Sequence, residues 1–133
     1  MLQLLHRRLA GDTPLPTLVY DDDCGFCTWA AAFAATRSEV VPVGFSELSV
    51  DQRARLPPNY EACVHLLTAD ETYFCGRAVE ETFCLLYPAL SGGFRRLRRV
   101  PYYPSIRERL YELVSNNRDR LGRVVSAFSS PLR

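Results

Sequence analysis

Hydrophobic and polar residues follow two patterns along the chain: short apolar runs that predict strands, and longer stretches with helical spacing. Residues 17–20 are apolar or β-branched without interruption, as in a strand buried on both faces. Residues 25–37 carry apolar side chains three and four apart, which predicts a helix that packs on the sheet. Residues 40–45 predict a second strand, at an edge or a bulge because of Pro42. Residues 46–56 form a weaker helical pattern that ends before two prolines.

The second half of the chain continues with a hairpin and two helices. Residues 62–67 and 72–75 are apolar runs around a short polar turn, which predicts two antiparallel strands. A helix is predicted over residues 77–90, with Glu80 on its solvent side. A last helix is predicted over residues 105–116. The apolar residues of this last helix that we expect to face the core are Ile106, Leu110, Leu113 and Val114.

The predicted elements follow the order β-α-β-α-β-β-α-α, which is similar to the order in thioredoxin. It predicts an α/β fold with a four-stranded mixed sheet, helices on both faces and an added C-terminal helix. We divide the chain into an N-terminal lead-in (1–16), a thioredoxin-like domain (17–120) and a C-terminal tail (121–133).

Composition and charge narrow the class of protein. The 133 residues are 47% hydrophobic, which is enough for a packed core, and the net charge of +1 gives no reason to expect a nucleic-acid partner. We find neither the order of a signal peptide nor the run of roughly 18 apolar residues that a membrane span needs. The sequence therefore predicts a soluble, cytoplasmic protein.

Residues 94–103 form a basic and aromatic cluster. Such a cluster would suit peripheral contact with phosphates or an anionic membrane surface. Because the total charge is balanced, we favour a short amphipathic helix with solvated arginines that closes over the sheet edge.

The candidate chemistry lies directly after the first predicted strand, where Cys24 and Cys27 stand three residues apart. A helical turn brings the side chains of such a pair together, so the two thiols can form a disulfide. At a helix N-terminus the N–H groups and the helix dipole stabilise a thiolate, the form that attacks disulfides. We therefore expect Cys24 to attack a substrate disulfide and Cys27 to resolve the mixed disulfide.

Two other interpretations of the cysteine pair stay open. One is a zinc-stabilised binding module, in which the pair supplies two of four ligands. The other is a redox-inactive, thioredoxin-like interaction domain. The further ligands available to zinc are Cys63, Cys75, Cys84, His6 and His65, and none repeats the paired spacing of a zinc ribbon.

Three aspartates precede the pair. If Asp21 points inward, burial would raise its pKa and let it shuttle the proton of Cys27, so we assign it as a candidate base. We expect Asp22 and Asp23 to cap the helix and stay solvated. The remaining cysteines, Cys63, Cys75 and Cys84, are interpreted as core packing. Cys63 is also a candidate third redox thiol, because its strand would face the pair.

The motif Asp21-Asp22-Asp23-Cys24-Gly25-Phe26-Cys27 resembles that of the DCC-type thiol-disulfide oxidoreductases, and the similarity extends to residues 75–79 and 111–118. The resemblance implies a thioredoxin-like fold, an enzyme that exchanges disulfides, and Asp21, Cys24 and Cys27 as the motif residues. We expect a protein or small-molecule disulfide or dithiol as substrate, and the exchange itself requires no cofactor. Unlike thioredoxin relatives, residues 60–64 lack the cis-proline whose neighbour's backbone pairs with the substrate.

Overall fold

The computed structural model describes residues 15–128 and contains a four-stranded sheet in the order β2-β1-β3-β4. The strands are β1 (Thr17–Tyr20), β2 (Val41–Gly44), β3 (His65–Leu67) and β4 (Thr72–Phe74). β1 pairs in parallel with β2 and antiparallel with β3, which pairs antiparallel with β4. The predicted mixed, thioredoxin-like sheet is therefore confirmed, with the β3–β4 hairpin at one edge.

Helices lie in the β1–β2 and β2–β3 connections and make up most of the described C-terminal part. They are α1 (Gly25–Arg37), α2 (Val50–Ala54), α3 (Cys75–Leu86), α4 (Leu90–Leu97), α5 (Tyr103–Asn116) and α6 (Arg118–Phe128). α6 starts inside the predicted domain, runs into the predicted tail and packs against α1. The division into lead-in, domain and tail stays a prediction, and residues 1–14 and 129–133 of it lie outside the described residues. No helix within residues 15–128 is long and apolar enough to cross a bilayer.

The core lies on both sides of the sheet. On one face, Leu18 and Leu66 pack against Ala31 and Ala34 of α1 and against Ala78 of α3. These alanines are small, so the helices can approach the strands closely. On the other face, the buried ring of His65 contacts Phe45 and Phe74, and the short 3-10 turns at Phe45–Glu47 and Tyr60–Ala62 cover it.

Helix α5 presents the opposite face from the one that its apolar stripe predicts. Ile106, Leu110, Leu113 and Val114 are all exposed, so the expectation that they face the core is wrong. The side chains of α5 that reach the rest of the protein are polar or amphipathic: Arg107, Glu108 and Tyr111.

Glu80 is buried, although the helical pattern places it on the solvent side of its helix. Its side chain is 2% exposed, and its Oε2 lies 2.8 Å from Nη1 of Arg107. Nε of Arg98 lies 3.7 Å from the other carboxylate oxygen, within ion-pair distance although too far for a hydrogen bond. The prediction is wrong because the helices after α3 bring two arginines over it. Glu80 therefore ties α3 to the segment that follows.

Candidate active site

The pair Cys24 and Cys27 lies where β1 gives way to α1, as the sequence predicts. Cys24 is the N-cap residue of α1, and its extended backbone turns the chain from strand into helix. Its N–H donates to the carbonyl of Asp21 at 3.3 Å, and its carbonyl accepts from the N–H of Thr28 at 2.9 Å. Both cysteines are free thiols and half-buried. One thiol is thus fixed at a helix N-terminus and the other lies in the first turn.

The hydrogen bonds around the two sulfurs distinguish them. The N–H of Cys27 donates to Sγ of Cys24 at 3.3 Å. Burial raises the pKa of the Cys27 thiol to about 12, and its hydrogen bond to Cys24 and the charge on that sulfur act in the same direction. The proton therefore stays on Cys27, while a negative charge on Cys24 is stabilised by an N–H donor and the positive end of the α1 dipole.

Arg118, the first residue of α6, also lies at this site. It was not among the site residues identified from the sequence. Its Nη1 lies 3.1 Å from Oδ2 of Asp21, and its guanidinium is within hydrogen-bonding reach of Cys27. Burial alone would lower the pKa of Arg118, but the negative charges of Cys27, Asp21 and Cys24 raise it above its usual value. The same cation lowers the pKa of Cys27 and opposes the effect of burial there.

The three aspartates have different surroundings. Asp21 is half-buried; its Oδ1 accepts the N–H of Asp23 at 3.0 Å, and its Oδ2 faces Arg118. Asp22 binds the N–H and the hydroxyl of Ser46, which lowers the pKa of the Asp22 carboxyl. Asp23 is exposed, as expected, but neither Asp22 nor Asp23 caps α1, whose N-cap residue is Cys24. Asp22 therefore fastens the loop before Cys24 to the end of β2, whereas Asp21 lies next to the thiols.

Gly44 is required by this loop anchor. A Cβ at Gly44 would overlap the side chain of Asp22, so only glycine leaves room for the carboxylate beside the end of β2.

Cys63 and Cys75 form a disulfide with a Cα–Cα distance of 5.1 Å. The interpretation of these two residues as free packing cysteines is therefore wrong; it failed because residues twelve apart in sequence face each other across the hairpin. The N–H of Cys75 donates to the carbonyl of Val64 at 2.9 Å, which extends the β3–β4 pairing to the cysteines. Cys84 is a free thiol.

Tyr111 of α5 binds the backbone next to Cys63. Its hydroxyl accepts the N–H of Val64, next to Cys63, at 2.9 Å. Residues 60–64 contain no proline, and the described residues contain no cis peptide bond. Beside Tyr111 a cavity of about 230 Å³ opens onto the Cys63–Cys75 disulfide, with Glu108 and Asn116 in its wall.

The described residues contain no group of three or more His, Cys, Asp or Glu side chains arranged to hold a metal ion. Of the zinc ligands considered from the sequence, Cys63 and Cys75 bind each other, His65 is buried on the far sheet face, and His6 lies outside the described residues.

A family model described as DCC1-like thiol-disulfide oxidoreductase matches residues 18–124. The match covers the sheet, the cysteine pair and Arg118. Neither the curated proteins nor the solved structures gave a match.

Proposed function

The chain belongs to the DCC1-like thiol-disulfide oxidoreductase family, and from this premise we propose that it exchanges disulfides through Cys24 and Cys27. The observation that carries the proposal is the bond from the Cys27 N–H to the Cys24 sulfur at a helix N-terminus, with the proton held on Cys27. This arrangement supplies one thiolate for attack and keeps a second thiol in reserve.

The first step is attack by Cys24. Its thiolate displaces one sulfur of the substrate disulfide, and a mixed disulfide with Cys24 forms. The displaced sulfur leaves as a thiolate and takes a proton from water. Cys24 is the better nucleophile of the pair because a thiolate there is stabilised by the helix N-terminus, whereas Cys27 holds its proton at neutral pH.

The second step is resolution by Cys27. Once Cys24 is in the mixed disulfide, its negative charge is gone, and with it two of the causes that raise the pKa of Cys27. Arg118 then favours the Cys27 thiolate, which attacks Sγ of Cys24 and releases the reduced substrate. Asp21 is retained as the candidate acceptor of the Cys27 proton, since it contacts the same guanidinium.

The substrate we propose is a protein or small-molecule disulfide that approaches the exposed side of Cys24. Pairing with a substrate backbone at Val64 requires Tyr111 to release that N–H, so a small or flexible disulfide is favoured over an extended peptide. The cytoplasm stays the proposed setting, and peripheral contact through residues 94–103 stays a prediction. Arg98 of that segment already forms an ion pair within the protein, because its Nη1 lies 2.9 Å from Oε1 of Glu81.

Reduction of glutathione disulfide and of insulin by the dithiol form tests this proposal. We expect Cys24→Ser to abolish the reaction and Cys27→Ser to stop it at a trapped mixed disulfide. Cys84→Ser is the matched control and should react like wild type, because Cys84 lies on α3 outside the site. Equal inactivity of wild type and Cys24→Ser would instead support a redox-inactive interaction domain. Stoichiometric zinc in the purified protein, lost on replacing Cys24 and Cys27, would support the zinc-stabilised module.

A further inference from the structure

The second cysteine pair lies beside the first at the same end of the sheet. The pairing of β1 with β3 ends at Val19 and His65, so Asp21 and Cys63 each lie two residues beyond this pair at the same end of the sheet. Asp21 in turn bonds to the backbone of Cys24 and pairs with Arg118. The chain segments that carry Cys24 and Cys63 are thus neighbours across a strand pair, although 39 positions apart in sequence.

Tyr111 connects the two pairs. Its ring borders the cavity that opens onto Cys63 and Cys75, and its hydroxyl holds the backbone next to Cys63. The pKa of Tyr111 is raised, mainly by burial and also by the negative charge of Cys27, so the same side chain lies within electrostatic range of the inner thiol of the first pair. Tyr111 is therefore a common neighbour of Cys27 and of the backbone beside Cys63.

The two pairs are in opposite redox states. Cys24 and Cys27 are thiols, while Cys63 and Cys75 are closed as a disulfide. We propose that Cys63 and Cys75, as a dithiol, are the internal reductant that returns the Cys24–Cys27 disulfide to the thiol form after turnover. The structure then represents the state after this transfer, and an external thiol such as glutathione supplies the two electrons that return Cys63 and Cys75 to the dithiol form. The inference rests on the proposed exchange function.

The transfer is balanced within the chain. The Cys63 thiolate attacks Sγ of Cys27; a Cys63–Cys27 bond forms, the Cys24–Cys27 bond breaks, and Cys24 leaves as a thiolate at the helix N-terminus. Cys75 then attacks Sγ of Cys63, which closes Cys63–Cys75 and releases Cys27, which takes up a proton. Two electrons pass from Cys63 and Cys75 to the first pair. Of the two protons that Cys63 and Cys75 lose, one goes to Cys27 and the other goes to Cys24 or to water.

The surroundings of Cys75 fit its role as the second attacker. Cys75 is the first residue of α3, where the helix N-terminus stabilises a thiolate. The carboxylate of Glu108 opposes this effect, but it is engaged by the N–H of Gly76 at 2.9 Å and by Nε of Arg107 at 2.7 Å. Water can reach the sulfurs through the cavity.

A time course of oxidation tests the transfer. Fully reduced Cys84→Ser protein is treated with glutathione disulfide, quenched in acid, alkylated and cleaved after arginine. Cleavage leaves Cys24 and Cys27 on residues 9–37 and Cys63 and Cys75 on residues 56–77, so each disulfide and any bond between pairs is distinguishable by mass. We expect the Cys24–Cys27 disulfide to appear first and to decay into Cys63–Cys75, at a rate independent of protein concentration.

Removing the first pair should then slow closure of the second. In a variant that also carries Cys24→Ser and Cys27→Ser, we expect direct closure of Cys63–Cys75 at about 0.1 mM glutathione disulfide to be at least about tenfold slower than the decay of the Cys24–Cys27 disulfide into Cys63–Cys75 in the parent protein, because the internal partner acts at an effective concentration of millimolar order or above. An unchanged rate would overturn the inference and make Cys63–Cys75 a structural crosslink.

Two further variants separate this inference from the proposed function. With Cys24→Ser, Cys75→Ser and Cys84→Ser, the remaining Cys27 and Cys63 should form an intramolecular crosslink between residues 9–37 and 56–77; its absence would overturn the inference. With Cys63→Ser and Cys75→Ser, the first pair should still reduce glutathione disulfide once. If that variant and wild type both fail to do so, the proposed function itself fails.

Discussion

Replacing Arg118 should slow the resolution step more than the attack step, because Arg118 interacts more strongly with Cys27 than with Cys24. Arg118 is the cation beside Cys27 and Asp21, and Arg118→Gln removes its charge while keeping a polar side chain. Without it, the Cys27 thiolate in the mixed disulfide faces the Asp21 carboxylate with no compensating charge. We therefore expect the pKa of Cys27 in that intermediate to rise.

The magnitude follows from distance and exposure. Two unit charges about 4 Å apart interact by about 4 kcal/mol at an effective dielectric constant of 20 and by about 1 kcal/mol in water. Because the Arg118 side chain is 41% exposed, the lower part of that range applies, about 1–2 kcal/mol or roughly one pKa unit. A rise of one pKa unit leaves roughly tenfold less Cys27 thiolate near neutral pH. The more basic sulfur is about threefold more nucleophilic, so we expect resolution to be about threefold slower.

Single-turnover release of thionitrobenzoate from a mixed disulfide with Cys24 measures this step, and its pH dependence gives the pKa of Cys27. Arg118→Lys should behave almost as wild type, because it keeps the charge. Arg120→Gln, an exposed arginine of the same helix, is the matched control. Asp21→Asn in the Arg118→Gln background separates the two effects assigned to Asp21: faster resolution would show that its charge repels the Cys27 thiolate, and slower resolution that it accepts the Cys27 proton. Superimposable pH profiles for Arg118→Gln, Arg120→Gln and wild type would refute the electrostatic role of Arg118.

Two predictions concern stability, measured by urea unfolding. Glu80→Gln should lower the free energy of unfolding by about 2 kcal/mol, because Arg107 loses its buried charge partner and keeps only the more exposed carboxylate of Glu108; Glu112→Gln on exposed α5 surface should change it little, and equal effects would contradict this. Burial lowers the pKa of His65, whose Nε2 lies 2.6 Å from the carbonyl of Tyr60. Because His65 takes up a proton less readily in the folded state than in the unfolded state, its contribution to the free energy of unfolding is complete above pH ~6.5. Below pH ~6.5 the free energy of unfolding falls by at most about 1.4 kcal/mol per pH unit, until the pKa of His65 in the folded state is reached. His65→Gln should lose that slope; an identical pH dependence would disprove it.

The sheet and the position of the cysteine pair were predictable because each depends on local sequence. Apolar runs mark the strands, and the spacing of Cys24 and Cys27 at the start of a helical pattern fixes their relation. Arg118 was not predictable from spacing, because it reaches the thiols only when α6 packs along α1. One indication of its importance was present in the sequence: Arg118 ends the segment 111–118, which resembles the corresponding segment of the DCC-type oxidoreductases. The Cys63–Cys75 disulfide likewise depends on the hairpin register, which composition does not reveal.

Helix α5 shows why an apolar stripe alone gave the wrong orientation. A stripe predicts which side of a helix can be buried, but specific polar partners decide here which side is docked. Arg107 neutralises the buried Glu80, Glu108 accepts the N–H of Gly76, and Tyr111 accepts the N–H of Val64. Turning the stripe inward would leave these three groups unpaired.

This polar docking also connects the C-terminal helices to the chemistry. Tyr111 fixes the backbone beside Cys63, and the turn after α5 delivers Arg118 to Asp21 and Cys27. Close packing of α6 holds that arginine in place, because a Cβ at Gly122 would already contact the backbone nitrogen of Phe26 at 3.4 Å, between the two cysteines. The helices that follow the sheet therefore supply the cation and the aromatic hydroxyl that the Cys24–Cys27 motif does not contain.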